Sequence, residues 1–258
     1  ILMLTVCAVL VILVLYKMLK NSRRIQKLMY KDTDFNIWNL NYLKYRASLR
    51  LTTDRLLKYA IVYTDICQFK SYNAIYGWHA GQRILELTIK EISSKIDSVK
   101  ELYARSYGSH FVLFVCYENM ESLKRRMLDI ADSISDRIYE ETGIRMAQAM
   151  GICPIEQKDK DIQLALSYAI QAVDPLKDSH SNAIQIYDDT LRGQLRERHE
   201  REKLLDSVDF KKDFVTYYQA KVDIRNEQIV GAEALVRFKD PTANGEIRAP
   251  GFFVPYYE

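Results

Sequence analysis

Glycine and proline are scarce in this chain of 258 residues, at 9 and 5 respectively, which excludes collagen-like repeats and low-complexity disordered classes. Cysteine is scarcer still. Cys7, Cys67, Cys116 and Cys153 are scattered without a C-x-x-C pair, so neither a disulfide framework nor a zinc site is indicated. His79, His110, His180 and His199 stand too far apart for an H-E-x-x-H metal helix and read as isolated residues. No sign of charge dominates: 37 Lys and Arg against 34 Asp and Glu give a net +3. Lys17, Lys20, Arg23, Arg24, Lys27 and Lys31 all precede the first acid, so residues 32–258 carry −3. A near-neutral body lacks the basic stripe that a nucleic-acid groove needs, and nucleic acid is excluded as a partner. What is present is a 48% apolar and 28% charged chain, enough for a sizeable core in one or two domains.

The basic cluster adjoins residues 1–16, an apolar run without a charge, where spanning the hydrocarbon takes roughly 20 residues. The chain opens with Ile rather than Met, and the expectation is a transmembrane helix over 1–19 cut short at its start, followed by a basic juxtamembrane linker over 20–31. Two rivals are weaker. A secretory signal needs a basic n-region and a small-residue cleavage site, and a buried core helix is seldom apolar all round at a chain end. Basic residues beside a membrane span face the cytoplasm, so the remaining domains are expected to be cytoplasmic, at the cell inner membrane.

Periodicity orders the rest. Residues 36–51 read as an amphipathic helix and 59–65 as a short strand ending on a carboxylate. Leu85, Ile89, Ile92 and Ile96 line one face of a helix over about 79–96. Two apolar runs, 102–107 and 110–116, flank Gly108 and Ser109 and predict a β-hairpin. A helix carrying Leu123, Met127, Ile130 and Ile134 follows, then a strand over 144–153, a helix over 161–173 and a strand over 183–187. This α-β-α-β-β-α-β-α-β order predicts an α+β domain with a largely antiparallel or mixed sheet and helices on its faces. Residues 191–207 contain RERHEREK, a run almost wholly charged, and predict a solvated linker helix, after which 210–222 and 229–238 are strand-like again.

Taken alone, a strand ending in Asp65, a glycine hairpin at Gly108, and Glu233 followed by Arg237 suggest metal and phosphate contacts without naming a reaction. The longer motifs do more. Residues 65–85, DICQFKSYNAIYGWHAGQRIL, resemble the D-x-D-x-F-K-x-x-N-D-x-x-G-H-x-x-G-D-x-x-L block of GGDEF domains without a gap. Asp32 to Asn39 resemble the D-x-L-T-G-L-x-N stretch that leads into that domain, and Arg105 to Phe111 fall where it has R-x-G-G-D-E-F. The resemblance covers about 32–190 and implies a nucleotide-cyclase-type fold.

The departures from that pattern bear on activity. In active diguanylate cyclases the hairpin acids help to bind a divalent metal; here the hairpin reads Tyr107, Gly108, Ser109, His110, Phe111 and both acids are missing. Of the metal carboxylates the resemblance implies, only Asp65 remains, and Tyr107 puts a ring where a glycine is expected. The resemblance implies that Asn73 reads a guanine edge and that Lys177 contacts a phosphate, but Gln82 stands where the family has the aspartate that partners guanine, and an amide mispairs there. Turn capping is the plainer role for Asn73. The R-x-x-D feedback motif would fall at 98–101 and is absent. A degenerate GGDEF domain without cyclase activity is expected.

Residues 213–223, followed by 229–238, resemble the opening of an EAL domain and contain Glu233, Ala234 and Leu235 themselves; residues 249–255 resemble its P-x-x-F-I-P segment. EAL domains are TIM-like barrels that hydrolyse cyclic di-GMP with Mg²⁺ or Mn²⁺. The resemblance implies that Glu233 is a metal ligand, that Gln219 and Leu235 line the substrate pocket, and that Arg237 holds a phosphate. A barrel takes roughly 200 to 250 residues, so 208–258 are expected to be its incomplete first part, and this chain by itself to be inert. The expected parent is a membrane-anchored cyclic di-GMP signalling protein in which an inactive GGDEF-like domain regulates an EAL phosphodiesterase. The alternative is a non-catalytic nucleotide receptor or scaffold. Cyclic di-GMP and the membrane are the implied partners, with GTP and a homodimer left open.

Overall fold

The computed structural model describes residues 28–54, 56–156, 161–177 and 179–257, together with 13, 15–18 and 20. The chain divides into two compact units, Ile1–Asp188 and Asp189–Glu258. The span expected over 1–19 lies almost wholly outside the described residues; among those described, no helix is long and apolar enough to cross a membrane.

The first unit is built on strand β1 (Lys58–Ile66), flanked by β3 (Phe111–Tyr117) and β4 (Gln148–Ile155), with β2 (Leu102–Arg105) and β5 (Ala183–Ile186) at the edges. The sheet order is β2-β3-β1-β4-β5, antiparallel except for the parallel β4–β5 pair. The mixed α+β sheet expected from the sequence is what forms.

Both faces of this sheet are covered, which is why its central strands are continuous apolar runs rather than alternating ones. Ala60, Val62, Leu113, Met150 and Ile152 face one core with the helices Phe69–Tyr76, Trp78–Lys95 and Met120–Thr142; Tyr59, Ile61, Tyr63, Phe114 and Cys153 face the other with Leu40–Thr53 and Ile162–Val173. Call these helices, in chain order, α1 (Leu40–Thr53), α2 (Phe69–Tyr76), α3 (Trp78–Lys95), α4 (Met120–Thr142) and α5 (Ile162–Val173). Gly151 lets α5 approach β4: a Cβ there would lie 2.0 Å from the Ala169 carbonyl oxygen.

The strand expected over 144–153 forms at Gln148–Ile155, and two further differences have local reasons. The first helix starts at Leu40 rather than 36, because Asn36 adopts a left-handed backbone (φ 55°) and the Asn39 side chain caps the helix by accepting from Tyr42 N–H. Residues 69–76 form a separate helix that periodicity did not reveal, since eight residues hold too few turns to display a repeat.

The second unit holds α6 (Asp189–Asp206), the antiparallel pair β6 (Phe214–Val222) and β7 (Ile229–Asp240), the short β8 (Glu246–Arg248) and a helical turn α7 (Val254–Tyr257). Its core gathers Leu205, Phe238 and Phe253. The described part is a three-stranded sheet, with both faces of β6 and most of β7 exposed.

Glu101 anchors the first unit. It is 1% exposed, accepts from both Arg126 terminal nitrogens at 2.7 and 2.6 Å, and also receives the Asp97 and Cys116 amides. Burial pushes its carboxyl up, but these bonds, led by Arg126, outweigh it and hold it below the ordinary value. A depressed carboxylate contributes stability above its unfolded-state pKa that is lost as pH falls through the folded value. Glu101→Gln is therefore expected to cost roughly 3 kcal/mol at pH 7, the lower end for a broken buried pair because Arg126 stays partly exposed. Urea unfolding at pH 7 and at pH 3.5 checks this, and the gap between variant and wild type should narrow at the lower pH.

Candidate functional site

The end of β1 and the β2–β3 turn are brought together by register. The last antiparallel pair is Thr64 with Phe111, so one step further along places Asp65 opposite His110. Gly108 takes a left-handed backbone (φ 53°) and closes the turn, with Ser106 N–H donating to the His110 carbonyl and His110 N–H to the Tyr107 carbonyl, both at 2.9 Å. Only a residue at ease with positive φ closes it so tightly.

Within this turn Asp65 is engaged from two sides. Ser109 Oγ donates to Asp65 Oδ1 at 2.8 Å, and His110 Nε2 meets the same oxygen at 3.3 Å. His110 Nδ1 faces the Tyr107 carbonyl at 3.1 Å. The imidazole lies between two rings, stacked on Tyr63 with centroids 5.3 Å apart and tilted against Tyr107 at 4.5 Å. Burial, then a hydrogen bond shared with Tyr107, pushes the Tyr63 hydroxyl far above its ordinary pKa. Burial also pushes the Asp65 carboxyl up, but the His110 and Ser109 hydrogen bonds and the charges of His110 and Lys177 outweigh it and hold Asp65 below the ordinary aspartate value.

The Tyr107 ring is 65% exposed and leans on His110. Lys177 follows α5 and makes an ion pair with Asp174 at 2.6 Å; that bond raises its pKa against burial, and Asp65 and Tyr107 add to the effect. The structure thus gathers Asp65, Ser109, His110 and Lys177 in one field. Tyr63 and Asp174 belong to it as well and were missed, although Tyr63 precedes Asp65 by two residues and so shares its face.

Asn73 and Gln82 behave differently. Asn73 Oδ1 and Gln82 Oε1 are buried and accept no hydrogen bond, so the capping role expected for the Asn73 side chain is not what it does. That side chain lies over Gly81, where a Cβ would come within 1.8 Å of Oδ1. The position expected for the feedback motif carries Glu101, the anchor described above.

Arg105 ties the hairpin to the segment before α1. Its Nε donates to the Gly108 carbonyl at 3.1 Å, while NH1 donates to Asp32 at 3.1 Å and Asp34 at 2.8 Å. The Arg105 bond, ahead of the opposing burial, lowers the Asp34 pKa.

A divalent metal implied by the fold family fits poorly at Asp65. Mg²⁺ demands near-octahedral oxygen ligands at 2.0–2.1 Å, whereas here one carboxylate oxygen already accepts from a hydroxyl and an imidazole and a lysine charge stands nearby. Among the described residues no three His, Cys, Asp or Glu side chains gather as metal donors.

In the second unit, cross-strand pairing puts Gln219 opposite Glu233, Tyr217 opposite Leu235 and Val215 opposite Arg237. Gln219, Glu233, Leu235 and Arg237 therefore share one face, as alternation requires. Lys221 joins them, its Nζ 3.9 Å from Glu233 Oε2. Tyr217 and Lys221 were not singled out by the motif. Arg237 donates to the Val236 carbonyl at 2.9 Å, and residues 249–255 lead into α7.

Comparison with known proteins accounts for this arrangement. The family described as "Diguanylate cyclase, GGDEF domain" matches residues 30–183. A bifunctional diguanylate cyclase/cyclic di-GMP phosphodiesterase, MucR of Pseudomonas aeruginosa, is 26% identical over 78% of this chain and 29% of its own length. The cyclic di-GMP phosphodiesterase PdeB of Shewanella oneidensis is 25% identical over 76% of this chain and 23% of its own. The chain spans less than a third of the length of these relatives. In fold it is similar to the coiled coil and GGDEF domain of DgcB from Caulobacter crescentus, solved with c-di-GMP, at a TM-score of 0.59 and 13% identity over 71% of this chain and 98% of that one. The GGDEF domain of TpbB, or YfiN, from Pseudomonas aeruginosa gives 0.55 at 18% identity over 65% and 99%. With its mixed sheet, its hairpin opposite Asp65 and a family match over residues 30–183, the chain belongs to the GGDEF domain family of cyclic di-GMP signalling.

Proposed function

We propose that this chain is the regulatory part of a cyclic di-GMP signalling protein, in which a GGDEF domain that makes no cyclic di-GMP is joined to the opening of an EAL phosphodiesterase. The observation that carries the first half is the occupied Asp65 carboxylate: Ser109 and His110 stand where cyclase chemistry needs acids and a metal, and they bind Asp65 instead. Among the described residues, no three His, Cys, Asp or Glu side chains gather as the metal-donor group that activation of a 3′-hydroxyl would rest on.

The second half is supported by the shared face of Gln219, Glu233, Leu235 and Arg237. In an intact barrel Glu233 would be one donor to Mg²⁺ or Mn²⁺, which would supply an activated water; Gln219 and Leu235 would line the pocket, and the Arg237 fork would hold a phosphate of cyclic di-GMP. MucR and PdeB are named for that phosphodiesterase activity. An anchor in the cell inner membrane through 1–19, with 20–31 on the cytoplasmic side, completes the proposal.

The receptor reading is favoured by a separate observation. The buried, unpartnered oxygens of Asn73 and Gln82 are acceptors, and a buried acceptor without a donor is costly. A guanine edge offers donors, so GTP held without turnover would relieve that cost.

The chain incubated with GTP and Mg²⁺ or Mn²⁺ is expected to give no cyclic di-GMP above background by mass spectrometry; product would sink the non-synthetic reading. In the intact protein, Glu233→Gln is expected to lower cyclic di-GMP hydrolysis by about 100-fold or more, because it removes a metal ligand's charge. Arg237→Ala should raise KM at least as much as it lowers kcat. Unchanged hydrolysis in Glu233→Gln would transfer the assignment to the receptor reading. The intact protein should sediment with membranes, and deleting 1–19 should release it.

A further inference from the structure

We infer that the hairpin of this GGDEF domain engages Asp65 with its own Ser109 hydroxyl and His110 imidazole, so that the domain keeps its hairpin geometry without any divalent metal. The inference rests on the reading of the domain as non-synthetic and specifies how the site is held in its place.

The geometry is that of a built ligand rather than a chance contact. His110 Nδ1 faces the Tyr107 carbonyl at 3.1 Å and Nε2 faces the Asp65 carboxylate at 3.3 Å. The imidazole is also packed by two tyrosines, stacked on Tyr63 with centroids 5.3 Å apart and tilted against Tyr107 at 4.5 Å, so both its nitrogens and its ring have partners within the fold. Ser109 Oγ takes the remaining approach to Oδ1 at 2.8 Å. The charged groups acting on this cluster are Asp65 on β1 and the Lys177–Asp174 pair after α5. Lys177 adds a positive charge that acts on Asp65.

A carboxylate already engaged from within has little to offer a metal cation, because bringing one in would cost the His110 and Ser109 contacts and add repulsion from the Lys177 charge. Metal is thus replaced as the element that fixes the hairpin against the end of β1.

Mn²⁺ is the probe, and the chain is used whole. Electron paramagnetic resonance should count the same number of bound Mn²⁺ ions for the wild type and Asp65→Asn. The wild-type melting temperature should be the same in EDTA as in millimolar Mg²⁺. Native-state hydrogen exchange in EDTA should find the Ser106 and His110 amides protected, and His110→Ala should speed their exchange by about tenfold or more, as for loss of a hydrogen bond to a charged group. Restoring acids with Ser109→Asp and His110→Glu should add one Mn²⁺ that Asp65→Asn then removes. One Mn²⁺ lost from the wild type on Asp65→Asn, or a wild-type melting temperature that rises with metal, overturns the inference. So does hairpin exchange unchanged in His110→Ala. None of these readouts depends on turnover: metal at Asp65 without cyclic di-GMP would defeat this inference and leave the regulatory reading standing, whereas cyclic di-GMP production would defeat that reading.

Discussion

A strand buried on both faces can end on a carboxylate only if the residues next to it in space stabilise that charge, and this constraint organises the first unit. β1 pairs on one side with β3 and on the other with β4, and its side chains alternate into two separate cores. Hydrophobic packing fixes the register, and the register fixes what stands opposite Asp65. A slip of one residue would turn every core side chain of β1 to the wrong face. The meeting of Asp65 with Ser109 and His110 is thus paid for by the core rather than by the few polar bonds at the site.

The same economy links the hairpin to the segment that precedes α1. Arg105 reaches Gly108 on one side and Asp32 and Asp34 on the other, while Phe35 lies under its guanidinium at 5.0 Å. A guanidinium fork can serve several acceptors at once because its donors are fixed in a plane. Arg105 thus ties residues 32–34 directly to the turn that carries Ser109 and His110.

The strands and most helices of the first unit were legible in the sequence because burial on two faces leaves continuous apolar runs and burial on one leaves helical periodicity. The hairpin was legible from Gly108, and the family block from residues 65–85. Helix α2 was not, since it is too short to show a repeat. Nor was β8, three residues long, whose place is set by pairing with β7.

By itself the sequence determined the missing acids at the hairpin, the Gln82 substitution and the common face of Glu233, Leu235 and Arg237, because these follow from residue identity and from the two-residue period of a strand; that Gln219 joins that face depends on cross-strand register. The tertiary structure alone decided what Ser109 and His110 do in place of the acids, that Tyr107 leans on His110, and that Glu101 is a buried anchor. Those outcomes depend on partners distant in the chain, Asp65 for the hairpin and Arg126 for Glu101. Local sequence carries no information about which donors and acceptors a folded sheet will bring within 3 Å of one another.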